Sequence, residues 1–262
     1  MMREAGHQIE TTWLGKNIYF YRETDSTNTR ARSLAEEGAP HGSVVVAEIQ
    51  NAGRGRRGRQ WSSPEGAGIW FTILLKPDIR PDDASMLTLV AAMAVAGGIV
   101  QITGLTPQIK WPNDVVLSGK KVCGILTEMS AQVNHVNHVV VGIGINVKPQ
   151  AFPPEIAGKA TALESEYGQP VVRPLLLEAV LEEFEHYYEL YMQTMDVSLF
   201  LEEYNSILAN KDRQVKVLDP AGDYEGTARG INARGELLVE REGELTLVNS
   251  GEVSVRGIYG YV

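Results

Sequence analysis

The chain is 262 residues long, 44% hydrophobic and 22% charged, with a formal net charge of −9. That length can bury a full core as one large domain or a large domain with a small one, and the acidic balance argues against broad nucleic-acid binding, which needs a basic surface. Cys123 is the single cysteine, so an intrachain disulfide is excluded and a reducing cytoplasm fits.

In chain order, residues 1–15 read as a polar leader or linker remnant without the apolar run of a signal peptide. Residues 17–21 form an aromatic and β-branched strand. Asp25-Ser26-Thr27-Asn28 supplies helix-capping side chains, and the helix that follows is stopped by Gly38. A strand over 43–49 leads into Gly53-Arg54-Gly55-Arg56-Arg57-Gly58-Arg59 and Trp61. Another strand covers 68–75. The uncharged stretch from Met86 to Leu105 is as long as a membrane span. Its Ala, Gly and Thr content and the lack of a basic flank favour a buried helix over 83–102 instead.

Residues 109–111 are extended before Pro112, and 115–117 and 122–129 make a hairpin about Ser118-Gly119. A further strand runs over 136–147, and the Pro-rich stretch from Pro149 to Pro154 is a break. Leu176, Val180, Phe184, Tyr187 and Tyr191 recur at helical spacing, which predicts a long amphipathic helix over 173–194 with its stripe on the core. A second helix covers 198–208. From Arg213 onward, short runs at 214–218, 224–231, 237–240, 245–248 and 253–255 alternate with Asp, Asn and Gly turns, the pattern of a small barrel-like β domain. The division expected is 1–15, 16–210 and 211–262.

The crowded arginines are the strongest chemical signal. Like charges packed this closely repel unless an anion comes to them, and Arg grips phosphate or carboxylate with paired hydrogen bonds. The intervening glycines allow close backbone approach and positive φ, so the loop over 51–64 reads as an anion clamp that is mobile until ligand arrives. Ser26, Thr27 and Asn28 offer hydroxyl and amide groups at a helix start, either as ligands for a neutral polar group or as plain caps. Lys110-Trp111-Pro112-Asn113-Asp114 joins a cation, an aromatic, an amide and a carboxylate before a strand, and Lys120-Lys121 stands at the mouth of the next. Gly142-Ile143-Gly144-Ile145-Asn146 puts glycines into a strand, a sign of close backbone approach, without the third glycine or the helix of a dinucleotide fingerprint. There is no P-loop, no nucleophile elbow and no zinc motif, so no metal site built by the protein itself is expected. His135 and His138 read as hairpin-capping residues.

Taken together, Ser26-Thr27-Asn28, Gln50, the arginine loop with Trp61, Lys110 through Asp114, Lys121 with Gly124-Ile125-Leu126, and Gly142 through Asn146 resemble the biotin–protein ligases, in order and in spacing. The resemblance covers roughly 16–210 and the C-terminal β domain. It implies an α/β (α+β) catalytic domain like those of lipoate ligases and class II tRNA synthetases, with a mixed β-sheet and flanking helices, followed by an SH3-like β-barrel. It further implies a two-step reaction, in which biotin and Mg2+-ATP give biotinyl-5′-AMP and pyrophosphate, and a lysine of a biotin carboxyl carrier protein then takes the biotin.

By the same resemblance, Arg54, Arg56, Lys121 and Asp114 are the catalytic candidates. Arg56 would shield the adenylate, Lys121 would bridge the biotin carboxylate and the α-phosphate, and Asp114 would orient or deprotonate the incoming amine or organise Mg2+. Ser26, Thr27, Asn28, Gln50, Gly53, Gly55, Gly124 and Gly142 join Arg54, Arg56 and Lys121 around biotin, with Gly144 giving further room. Arg56, Arg57, Arg59, Trp61, Lys110, Asn113, Asn146 and Arg256 are the nucleotide candidates. Arg57 and Arg59 would meet pyrophosphate or keep the loop open, and Trp61 would stack on adenine or latch the ordered loop.

Many bacterial relatives of that family carry an N-terminal winged helix-turn-helix. There is no room for one before Tyr19, so DNA binding is not expected; the chain reads as a single-function ligase or one clipped at a linker. Homodimerisation through a sheet edge is common in the family. The rivals are a lipoate–protein ligase, a phosphate- or nucleic-acid-binding module using the Arg-Gly loop, and a biotin-sensing regulator.

Overall fold

The structure, a computed structural model, describes residues 10–219, 222–250, 254–257 and 261. Strand β1 (Ile18–Thr24) leads through helix α1 (Thr27–Glu36) to its parallel neighbour β2 (Ser43–Gln50). Strand β3 (Gly68–Leu75) pairs antiparallel with β2. A 3-10 turn over Pro81–Met86 opens helix α2 (Leu87–Thr103), which ends at Gly104 in the left-handed region. Strands β4 (Gln108–Lys110), β5 (Asp114–Leu117), β6 (Lys120–Gln132) and β7 (His135–Asn146) return antiparallel, and β7 pairs with β3. The seven-stranded sheet is therefore mixed, in the order β1-β2-β3-β7-β6-β5-β4.

Alternation assigns the faces of this sheet. Ile69, Phe71, Ile73 and Leu75 of β3 and Val139, Val141, Ile143 and Ile145 of β7 point into the main core. Over that face lie α2 and the long helix α4 (Arg173–Thr194), which follows the one-turn helix α3 (Leu163–Tyr167). Gly98 lets the two long helices approach, since a Cβ there would meet Val180 Cγ2 at 2.6 Å. The stretch Pro81–Thr103 has the length and mean hydropathy (1.9) of a membrane span, but 67% of its most apolar window is buried inside the fold. On the opposite face α1 covers Val45, Leu74 and Val140, a small second cluster, and next to it the sheet is left open by Gly124, Gly142 and Gly144.

Short helix α5 (Leu201–Ser206) leads to β8 (Arg213–Leu218), β9 (Tyr224–Ile231), β10 (Leu237–Arg241), β11 (Glu244–Val248) and β12 (Ser254–Gly257). Among the described residues these form a five-stranded antiparallel sheet, β11-β10-β9-β8-β12. This is the small all-β module expected from the sequence; among the described residues its edge strands β11 and β12 do not pair with each other, so no closed barrel is seen. Its inward side chains, Val215, Val217, Ala228, Leu237 and Val239, belong to the main core.

Residues 11–14 are not a free leader. Glu185 of α4 accepts hydrogen bonds from the backbone amides of Thr12, Trp13 and Leu14, and Leu14 is fully buried. These bonds hold Glu185 below the ordinary carboxylate range, against the upward push of burial. Nothing in the polar composition of this stretch announces a docked segment.

Candidate active site

The cleft lies on the open face of the large sheet, between α1, β6, β7 and the arginine loop. Its floor is glycine. A Cβ on Gly142 would come within 2.1 Å of Asn28 Oδ1, one on Gly144 within 2.5 Å of Trp61 Nε1, and one on Gly124 within 2.7 Å of the Trp61 ring. Asn28 and Trp61 therefore pack directly on bare backbone, and any side chain at these positions would displace them.

One wall is polar. Ser26 occupies the N-cap position of α1 but makes no side-chain cap bond, so capping is not what this triplet does. Ser26, Thr27 and Asn28 are buried. Thr27 donates from its amide (2.8 Å) and its hydroxyl (3.1 Å) to Gln50 Oε1, and Gln50 Nε2 donates to Ser63 Oγ (2.8 Å). The Thr72 hydroxyl donates to Asn28 Oδ1 (2.7 Å), and Asn28 Nδ2 donates to Glu128 Oε2 (2.8 Å) and to the Leu126 carbonyl (3.2 Å). The positions of Thr27, Asn28 and Gln50 are thereby locked before any ligand binds.

The arginine loop folds as an irregular hairpin, with an isolated bridge between Arg54 and Gln60 and a 3-10 turn over Arg56–Gly58. Of its glycines only Gly58 has positive φ, and Arg57 shares that region at φ 56. Gly53 serves close approach instead, since a Cβ there would meet the Trp61 carbonyl at 2.3 Å. The arginines are splayed rather than crowded. Arg54 reaches Glu128 (3.4 Å), and Arg56 donates to Asn113 Oδ1 (3.1 Å) and to the Ser250 carbonyl (2.5 Å). Burial lowers the Arg56 pKa, and Asp114 pulls in the opposite sense. Arg57 and Arg59 are exposed. Trp61 lies over Gly124 and Gly144, edge-on to Trp70 and 5.1 Å from Lys121 Nζ. That is the position of a latch on the trough.

Beside the loop is a buried charge group. Asp114 Oδ1 pairs with Lys121 Nζ at 2.5 Å. Burial pushes its carboxyl up, but Lys121, Lys110 and a hydrogen bond from Tyr261 more than offset this and hold it below the usual range. Lys110, also buried, is pushed down to about 8 by burial, with Asp114 opposing. The like charges of Lys121, Arg59 and Arg256 lower it further. Asn113 ties the loop to β6 through the Ile125 carbonyl.

Two candidates have structural partners elsewhere. Asn146 donates to the Thr161 carbonyl (3.2 Å), accepts from Gln150 (3.1 Å) and does not line the cleft. Trp111 anchors the second sheet: its amide donates to Asn210 Oδ1 and its indole N–H to the Gly235 carbonyl (3.0 Å). Among the residues that sequence reasoning missed, Thr72 and Glu128 carried a signal, as polar side chains inside otherwise apolar strands. Ser63, Ser250 and Tyr261 carried none.

The description "Biotin/lipoate A/B protein ligase family" matches residues 19–146, and "Biotin protein ligase C terminal domain" matches 212–256. The chain is 37% identical to the bifunctional ligase/repressor BirA of Bacillus subtilis, over 94% of its own length and 76% of that protein's. It is 34% identical to the biotin--[acetyl-CoA-carboxylase] ligase of Paracoccus denitrificans, over 89% of its length and 98% of the relative's. Biotin protein ligase from Aquifex aeolicus in complex with biotin and ATP superposes with a TM-score of 0.81 at 33% identity, covering 92% of this chain and 99% of that one. The chain belongs to the biotin protein ligase family.

Proposed function

We propose that the chain is an ATP-dependent ligase that activates biotin as biotinyl-5′-AMP and transfers it to a lysine of a biotin carboxyl carrier protein. The observation that carries this reading is the junction of the trough with the Arg56–Lys121–Asp114 group. A bicyclic acid with a neutral ring would lie along the glycine floor once Trp61 moves off Gly124 and Gly144, with its ureido group against Ser26, Thr27, Asn28 and Gln50 and its carboxylate directed at Lys121. Lipoate, whose ring has no polar edge, would leave that wall unmatched, and this favours biotin.

In the first step a biotin carboxylate oxygen attacks the α-phosphorus of ATP, and the bond to the departing pyrophosphate breaks. Two anions must meet, and Lys121 with Arg56 offers fixed positive charge where they do. Lys110, Arg59 and Arg256 extend that field toward the polyphosphate. In the second step the lysine nitrogen attacks the acyl carbon and AMP leaves. Asp114, held as a carboxylate, is suited to taking the amine proton. Mg2+ would arrive on the ATP phosphates, and Lys121 and Arg56 would meet those phosphates beside it. Buried Cys123, its thiol pushed up by burial, suits a cytoplasmic setting.

The test is pyrophosphate release from ATP with biotin, with lipoate and with no acid, the adenylate being identified by mass spectrometry and then offered to a carrier domain. Biotin-dependent release followed by lysine labelling is expected. Release with lipoate alone would assign the other acyl group.

A further inference from the structure

Tyr261, the next-to-last residue, is the one group in the buried charge cluster that no motif contains. Its hydroxyl donates to Asp114 Oδ2 at 2.5 Å, and its ring covers Lys110 Nζ at 3.8 Å from the centroid. Asp114 Oδ1 is already on Lys121. Both carboxylate oxygens are therefore occupied, by Lys121 on one side and by a residue near the chain end on the other. A tyrosine held for packing alone has no need to set its hydroxyl on a buried carboxylate and its face on a buried ammonium. Both contacts fall on the first and last residues of the Lys110–Asp114 segment.

Resting on the ligase reading above, we propose that Tyr261 is a positioning residue that gates the acyl-transfer step: it holds Asp114 Oδ2 until the acceptor lysine displaces it, and so keeps water and free small amines from using Asp114 as their base. Displacement is selective because a docked lysine arrives at high effective concentration, whereas a free amine must compete at its bulk concentration. A hydrogen bond to the ionised carboxylate also weakens it as a base. The other charges facing Asp114 are Lys121 on β6, Lys110 on β4 and Arg56 on the loop, with the Cys123 thiol nearby. All of them remain when the tyrosine hydroxyl is removed.

The test uses the full chain with Tyr261→Phe, which keeps the ring on Lys110, and Tyr261→Ala, which removes it. Formation of biotinyl-AMP from biotin and ATP is measured first in the unaltered protein; its absence would overturn the ligase reading, and the gate with it. Where it forms, the adenylate is partitioned between water, hydroxylamine (giving the biotin hydroxamate and AMP) and a carrier domain. The expected result is that capture by hydroxylamine, relative to adenylate formation, rises about ten-fold in Tyr261→Phe, the low end of the worth of a hydrogen bond to a charged group. The acid limb of capture should move to higher pH, because Asp114 loses a bond that favours its charged form. A rise confined to Tyr261→Ala would reduce Tyr261 to packing and overturn the gate. So would unchanged capture in both variants, or a fall in carrier and hydroxylamine transfer together.

Discussion

Thr72 stands in a strand that reads Gly-Ile-Trp-Phe-Thr-Ile-Leu-Leu, and its buried hydroxyl is the donor that satisfies Asn28 Oδ1. Thr72→Val keeps the shape and removes the donor, leaving a buried acceptor without a partner. A loss of about 1–3 kcal/mol in urea-melt stability is expected, with a rise in the KM for biotin as Asn28 loses its orientation. A stability change without a KM change would detach Asn28 from the ligand. Lys110 makes the opposite kind of prediction. Its folded pKa, about 8, lies below the unfolded value near 10.4, so the charged form is disfavoured in the native state. Below pH 8 both states hold the proton and the full penalty, roughly 3 kcal/mol, applies. Between pH 8 and about 10.4 the unfolded state binds more protons, so stability rises with pH. Lys110→Met should therefore be more stable than the parent at pH 7, and denaturant melts at pH 7 and pH 10 should show that gap closing. Affinity for ATP should fall. These residue-level facts were half legible: Lys110 and Asp114 stood out as charges beside Trp111, whereas their burial is a product of the fold.

Among the elements, the arginine loop is the one whose contacts reach furthest along the chain. Glycines spaced among arginines predict a clamp that orders on its ligand, and Arg54 and Arg56 meet Glu128, Asn113 and Ser250, residues distant in the chain. Arg57 and Arg59 are exposed, and a carboxylate with phosphates would add charge-assisted bonds to the loop. Trypsin cleavage within 51–64 should be suppressed by biotin plus ATP; the same cleavage rate with and without the ligands would remove the clamp from the mechanism. The β5–β6 hairpin was legible because Ser118 and Gly119, at φ 50 and 73, are residue types that tolerate the turn. Helix α3 was not, since five residues carry too little periodicity to register.

Across the whole molecule, one core runs through both sheets, and Trp111 is one of the side chains that join them. Its indole, 1% exposed, reaches the Gly235 carbonyl. Trp111→Phe removes that bond and some volume, so a loss of about 1–3 kcal/mol is expected. Near- and far-UV circular dichroism should still report one coincident transition, because the second sheet shares the main core; separated transitions would mean that the two sheets fold independently. The same assembly brings Ser250 and Tyr261 to the cleft, so the C-terminal strands complete the charge group rather than trail behind it.

By itself the sequence determined the strand and helix periodicities, the turn positions and the glycines of β6 and β7, and it singled out Arg54, Arg56 and Lys121, which line the cleft, because each depends on residue type and local spacing. The tertiary structure alone decided which of those charges are buried, that Ser26 caps nothing, that Asn146 turns away from the cleft, that Trp61 lies on the trough, and that Tyr261 reaches Asp114. Those outcomes depend on contacts between residues far apart in the chain. Burial, desolvation and hydrogen-bond competition exist there only once the sheets and helices have packed.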